Sequence, residues 1–249
     1  MCIRDSYTMR TTYISLISLL ILPIVSCHQV STTPARRILF EEDFNSYANG
    51  ANLPAGFWSE GSKAVRIEKG RLRADANLDG SGENYGTSTI WLDKTFTGDI
   101  RVEFDAHVVA SDGDKNNINF FLLFSDPSGK PLRQTKADRA DGQYGKYHKL
   151  NGYVITFLAN GEPERARFRF RDDPGFNLLQ EEYVYECRRH KTYHIAVTKR
   201  GNRIAYAVDG TVYIDKVDDT ANPEHKSGII GFRTWHTDLW WDNIKVRQL

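Results

Sequence analysis

A chain of 249 residues with 33 basic and 32 acidic side chains carries a formal charge of +1. That is too little for the basic footprint on which general nucleic-acid binding depends. Of its three cysteines, Cys2 and Cys27 belong to an N-terminal leader and its processing point, so Cys187 has no intrachain partner and a packed core must hold the fold. A chain of this length can bury roughly 70–75% of its unfolded surface.

The leader comes first. From Met9 the chain reads "MRTTYISLISLLILPIVSC", with Arg10 as a basic start and an apolar stretch from Ile14 to Val25. That stretch is shorter than the roughly 20 residues a spanning helix needs. Ile24-Val25-Ser26-Cys27 has the form of a bacterial lipobox. Residues 1–26 therefore read as a lipoprotein signal peptide and Cys27 as the lipidation site. Residues 1–8 contribute nothing such a signal needs, which points to Met9 as the natural start. Without the leader the chain is formally neutral. Residues 27–37 read as a polar tether, and residues 38–249 as one domain held at the bacterial cell envelope by the lipid alone.

Strands then follow one another. "RVEFDAHVV" alternates strictly, with Val102, Phe104, Ala106 and Val108 against Arg101, Glu103, Asp105 and His107. "NINFFLLF" is nearly continuously apolar, which suits a strand covered on both faces. Asp112, Asp114 and Asn116 begin like a calcium loop, but Leu123 stands where an EF-hand needs glutamate. Residues 126–150 are polar and aperiodic. Loops of that length are uncommon in compact domains and often shape a site. At its end "YGKYHKLNGY" brings Tyr144, Tyr147 and His148 to the start of strand "GYVITFL". They are either ring packing and loop capping or a proton-transfer pair beside a cation.

"ERARFRFRDDPGF" sets Arg165, Arg167, Arg169 and Arg171 on one strand face, with Ala166, Phe168 and Phe170 on the other. Neighbouring guanidiniums roughly 7 Å apart repel by only about 0.6 kcal/mol in water and about 2.4 kcal/mol at an effective dielectric near 20. A wet surface tolerates that, whereas a cleft needs acids. Glu103 and Asp105 supply them if their strand is the neighbour; otherwise the ladder suits a carboxylate ligand. "TYHIAVTKR" follows. "RIAYAVDGTVYID" reads as a hairpin around Asp209-Gly210. "SGIIGFRT" and "LWWDNIKV" close the chain around a turn carrying Trp235 and His236. Trp240 or Trp241 is core, whereas Trp235 is the indole placed to stack on a sugar. Asp43 and Asp242, near the first and last strands, could hold a structural calcium ion; no cofactor is assured. There is no G-x-S-x-G elbow, H-E-x-x-H or P-loop.

No amphipathic helix or internal repeat interrupts this pattern, and the fold class is an all-β, antiparallel two-sheet sandwich. "LFEEDF", "NINFFLLF", "YHKLNGYVITFL", "ARFRFRDDPGFNLL" and "GIIGFRTWHTDLWWDNIKV" together resemble the YesU-like bacterial proteins from about Leu39 to Val246. That resemblance implies a concanavalin A-like jelly roll and a setting in plant- or algal-polysaccharide breakdown, with no established catalytic residues. The Glu-x-Asp-x-x-Glu cluster of glucanases of that fold is absent, which disfavours two-carboxylate hydrolysis. The leading expectation is a lipid-anchored protein that engages an acidic polysaccharide and cleaves it by β-elimination. In that reaction Arg167 or Arg169 neutralises the uronate, and Tyr147 and His148 move protons. Asn119, Tyr144, Arg165, Arg171, Trp235 and His236 contact the glycan. The rivals are a non-catalytic carbohydrate-binding lipoprotein and a structural envelope protein with a salt-bridged ladder.

Overall fold

The computed structural model describes residues 37–61, 64–76, 86–159 and 167–249. The leader, Cys27, most of the tether and Arg165 lie outside the described residues. The strands in chain order are β1 Ile38–Glu42, β2 Phe57–Gly61, β3 Val65–Ile67, β4 Leu72–Asp75, β5 Thr87–Thr97, β6 Ile100–Ser111, β7 Asn117–Ser125 and β8 Asn151–Leu158. They continue as β9 Phe168–Asp173, β10 Asn177–Glu182, β11 Thr192–Arg200, β12 Arg203–Val208, β13 Thr211–Val217, β14 Ser227–Trp235 and β15 Thr237–Gln248.

All pairs are antiparallel, and they build two sheets. The first runs β13-β12-β11-β6-β15-β4-β3, with β1 added on β15; the second runs β10-β9-β8-β7-β14-β5-β2. The sandwich expected from the strand pattern is the fold observed. Alternation in β6 works as the period of two requires: Val102, Phe104, Ala106 and Val108 are fully buried between the sheets. They meet the inner residues of the second sheet, and the Phe104 ring lies 5.2 Å from Phe120 and 5.1 Å from Phe232. Asp209 and Gly210, both at positive φ, join β12 to β13 in the expected hairpin. Trp241 is fully buried in the core, whereas Trp240 faces outward, stacked on His107.

The separation into two sheets decides between the two alternatives for the arginine ladder. Strand β6, with Glu103 and Asp105, belongs to the first sheet, and β9, with the arginines, to the second. Glu103 lies 3.1 Å from Arg101, and Asp105 accepts hydrogen bonds from Asn243 and the His194 ring at 2.8 Å. Neither carboxylate reaches the ladder.

A second apolar layer lies on the outer face of the second sheet. Trp58, Trp91, Phe121, Phe124, Val154 and Ile229 are covered there by Leu132, Tyr147 and Leu150. The covering residues come from the long polar segment, which contains a short helical stretch, Leu132–Arg139, and one helical turn, Tyr144–Tyr147. This flap is why β7 is apolar on both faces. Two glycines make the fit. A Cβ on Gly231 would stand 2.6 Å from the Trp91 ring, and one on Gly142 would meet Thr87 Oγ1 at 2.4 Å.

The polar flap is held by buried charge. Arg139 Nε lies 3.1 Å from Glu60 Oε1, with both side chains almost fully buried. Trp91 Nε1 donates to the other Glu60 oxygen at 3.0 Å. Arg233, 1% exposed, donates from Nη1 to Thr89 Oγ1 and from Nη2 to the Gly142 carbonyl. Its guanidinium lies 4.9 Å from the rings of both Tyr144 and Tyr147.

Candidate functional site

The registers of the second sheet align one outward residue from each strand in a straight row: Glu60, Thr89, Arg233, Asn119, Thr156, Arg169 and Glu181. Every member is polar. The neighbouring row, two residues along each strand and three along β10 where the register shifts, is Trp58, Trp91, Gly231, Phe121, Val154, Arg171 and Leu178, and most of it lies beneath the flap. The outer face is thus divided into an apolar half that binds the flap and a polar half beside it. Glu60 and Arg233 are occupied in holding the flap. Asn119, Thr156 and Arg169, with Arg171 on one side and Arg167, Asn117 and Trp235 on the other, form the candidate site.

The ladder alternates as expected, with Phe168 and Phe170 fully buried in the inter-sheet core and the arginines outside. Its neutralisation is incomplete. Arg169 Nε stands 3.5 Å from Glu181 Oε1, a distance at which it makes no hydrogen bond. Arg167 is 7% exposed, and its Nη1 has no partner. The Arg171 guanidinium lies 4.2 Å over the Phe176 ring. Asn119 donates from Nδ2 to Asn117 Oδ1 at 2.9 Å, and its own Oδ1 is unpaired. A buried polar group without a partner costs free energy that a ligand can recover.

Tyr144 and His148 do adjoin the ladder. The His148 ring stacks on Phe176 at 3.7 Å, and Tyr144 meets both rings edge-on at 4.7 and 5.4 Å. The Gly175 N–H donates to the His148 carbonyl at 3.0 Å, joining the β9–β10 turn to the flap. Burial, then the guanidiniums of Arg171 and Arg233, push the His148 pKa down to about 4, so its ring is neutral at neutral pH. Tyr147 does not fit the proton-transfer role expected of it. It is fully buried among Trp91, Phe121 and Arg233, and burial raises its phenol well above the usual value. Trp235 is half-buried on the outer face, with the Lys115 ammonium 4.9 Å from its ring. His236 sits in the following turn with Nδ1 3.0 Å from Asp112, tying two loops together.

Asp173, Phe176, Thr156 and Arg233 were not singled out from the sequence. Thr156, the polar residue inside "GYVITFL", carried a readable signal; Phe176 and Asp173 carried none, because their place depends on the flap. Asp173 Oδ1 accepts the Phe176 N–H at 2.7 Å, while Oδ2 is buried without a partner. Burial pushes its pKa up to about 7. First and last strands adjoin, as expected for Asp43 and Asp242. Among the described residues, however, no three His, Cys, Asp or Glu side chains gather as a metal ion would require.

The two shifts oppose each other in their effect on stability. An unfolded aspartate ionises near pH 3.9 and an unfolded histidine near 6.5, each an approximate reference value. Folded Asp173 keeps its proton up to about 7, so it withdraws stability as pH rises from about 4 to about 7. Folded His148 stays neutral down to about 4, so it adds stability as pH rises from about 4 to about 6.5. Relative to wild type, Asp173→Asn should therefore gain stability between pH 4.5 and 6.5, and His148→Gln should lose it; urea midpoints at the two pH values check both signs.

Similarity to solved structures agrees with this architecture. A Bacillus subtilis protein described as of unknown function with a galectin-like fold superposes with a TM-score of 0.68 at 17% identity, covering 86% of this chain and 98% of that one. The carbohydrate-binding module CBM66 from Bacillus subtilis gives 0.52 at 19% identity, covering 80% and 98%. A Bauhinia forficata lectin in complex with GalNAc gives 0.53 at 12%, covering 86% and 98%. At these identities the likeness establishes the lectin-type sandwich. No curated protein matches the chain in sequence. The family model described as Domain of unknown function (DUF6250) matches residues 83–244, and the chain belongs to that family.

Proposed function

We propose that this protein binds a carbohydrate along the polar half of the outer face of its second sheet, and that the glycan is acidic. The observation that carries the reading is the unpaired hydrogen-bonding capacity of Asn119, Arg167 and Arg169, flanked by half-buried aromatic rings at Trp235 and at Tyr144–Phe176. Sugar hydroxyls and carboxylates satisfy the former, and C–H faces pack on the latter. Three guanidiniums, Arg167, Arg169 and Arg171, of which among the described residues only Arg169 has a carboxylate within ion-pair distance, favour an anionic sugar over a neutral one. The sandwich is also the fold of the lectin and the carbohydrate-binding module above. Cys27, read as a lipidated terminus, would hold the protein at the cell envelope.

Cleavage by β-elimination is a second reading, favoured by one observation: a neutral His148, a tyrosine phenol and the Arg171 cation meet around Phe176. There His148 would take the proton next to the uronate carboxylate while Tyr144 protonates the leaving oxygen as the C–O bond breaks and the double bond forms. Nε2 of His148 is closed off in this conformation, so binding is the better-supported function.

Affinity electrophoresis through polygalacturonate, alginate and a neutral glucan tests both. Retention on an acidic glycan is expected. The double variant Asn119→Ala/Arg169→Ala should weaken it at least about tenfold, since each lost hydrogen bond to a charged group is worth about 1.5–3 kcal/mol. No retention on any glycan, or unchanged retention by the variant, overturns the proposal. New ultraviolet absorbance from unsaturated ends, abolished by His148→Ala, would establish elimination instead.

A further inference from the structure

A cavity lies at one end of the arginine ladder. The segment between β10 and β11 folds back so that Arg167, Tyr183, Tyr185, Glu186, Arg188 and Lys191, with Tyr193, enclose a cavity of about 350 Å³. Its floor is rigid. Tyr185 stacks on Tyr213 at 5.1 Å, and Tyr193 lies edge-on to Phe157 at 5.0 Å. The Tyr193 hydroxyl accepts the Arg188 N–H at 2.7 Å, which fixes the backbone of the segment.

The charges in this cavity are unequal in their freedom. Lys191 is already engaged: its ammonium lies 3.2 Å from Asp209 and donates to the Tyr185 hydroxyl. Arg167 is more than nine-tenths buried with Nη1 unpartnered, and Arg188 is exposed with no carboxylate within ion-pair distance among the described residues. Glu186 is the one acid in the lining. Two free guanidiniums beside tyrosine rings match an oxyanion carried on a sugar ring: the planar forks take the oxyanion, and a phenol face takes the ring.

The cavity is also connected to the groove. Arg167 lies two residues from Arg169, one strand repeat of roughly 7 Å. Glu181 bridges the two places from the other side, 3.5 Å from Arg169 and accepting the Tyr183 hydroxyl at 2.9 Å. Tyr183 is 55% exposed at the mouth.

We propose that this cavity is a distinct subsite for one oxyanion-bearing sugar residue, a uronate or a sulfated sugar, at the end or on a branch of the glycan held by the ladder. Arg167 and Arg188 bind the oxyanion, and Tyr183 packs on the ring. The inference rests on the glycan reading above for the occupant's identity; Arg167 is shared with that face, whereas Arg188 and Tyr183 belong to the cavity and take no part in the candidate site described above.

The test uses the full chain, with calorimetric titration of galacturonate monomer and trimer, galactose 6-sulfate and neutral galactotriose. Arg188→Ala and Tyr183→Ala are both surface changes, checked by thermal melting. Each should weaken galacturonate trimer binding about tenfold or more, while retention on long polygalacturonate through Arg169 persists. Galacturonate monomer binding lost in both variants places the carboxylate in the cavity. Binding of galactose 6-sulfate with the same variant sensitivity, and none of galacturonate, makes the oxyanion a sulfate. If both variants bind every probe like wild type while Asn119→Ala/Arg169→Ala does not, the subsite is wrong and the groove stands. If wild type binds nothing, both readings fall.

Discussion

Replacing Arg139 with methionine should cost about 3–5 kcal/mol of stability, because it leaves Glu60 buried without its cation. The two side chains are 3% and 1% exposed and 3.1 Å apart. Burial already raises the Glu60 pKa, with Arg139, Trp91 and Tyr147 pulling against it. Once Arg139 is gone the carboxyl must either take up a proton or open the flap to water. The Arg139 guanidinium also donates to the Leu132 carbonyl at 2.9 Å, so its loss unties the helical stretch it belongs to. Urea denaturation measures the loss, and limited proteolysis within residues 126–150 detects the released flap. The double variant Glu60→Met/Arg139→Met should recover much of the deficit, since an apolar pair of similar volume removes the unpaired charge. A single Arg139→Met that melts like wild type would show that the pair does not hold the flap.

Trp91→Ala should be comparably severe, about 3–5 kcal/mol for a fully buried tryptophan. Its indole is the hub of the outer layer, within 5.4–6.1 Å of Phe121, Phe124, Trp58 and Tyr147. It also gives Glu60 one of its hydrogen bonds. The inter-sheet core does not include Trp91, so the sandwich should persist while the flap loosens. Tyr144 and His148 travel with the flap, so glycan retention should fall with the stability. Far-ultraviolet circular dichroism resembling wild type, together with lost retention and a lowered urea midpoint, is the expected combination. A variant that keeps its urea midpoint would mean the outer layer contributes little.

The strands that could be read from the sequence were those whose own side chains alternate. In β6 and β9 the period of two separates Val102, Phe104 and Phe168, Phe170 from the charged residues, and the solvent or the other sheet decides which side is which. The unbroken apolar run of β7 was rightly read as covered on both faces, although what covers it was not legible. The cover is a polar segment of low periodicity that contributes Leu132, Tyr147 and Leu150 to the layer, with Tyr144 partly buried against it. Its other residues are polar because they meet buried charges or water. A hydrophobicity pattern has no means of showing that Arg139 will be buried.

The site divides the same way. The ladder's alternation and the nearness of Tyr144 and His148 to the following strand are local facts, and both were readable. Whether Glu103 and Asp105 neutralise the ladder stays open in the sequence, because only the pairing of distant strands decides whether β6 and β9 share a sheet, and they do not. Phe176, which gathers His148, Tyr144 and Arg171, belongs to a turn that is remote from the flap in sequence and tied to it by a single backbone hydrogen bond.

By itself the chain's order of residues determined that this protein is built of antiparallel strands, and it determined which side chains share a face, because each strand's alternation depends only on its own backbone geometry. Tertiary structure alone decided that one face would be half apolar seat and half polar groove. It also decided which guanidiniums would be left without a carboxylate. Those outcomes depend on which distant strands pair and on where a long polar flap finds its buried anchors, and no local energy specifies either.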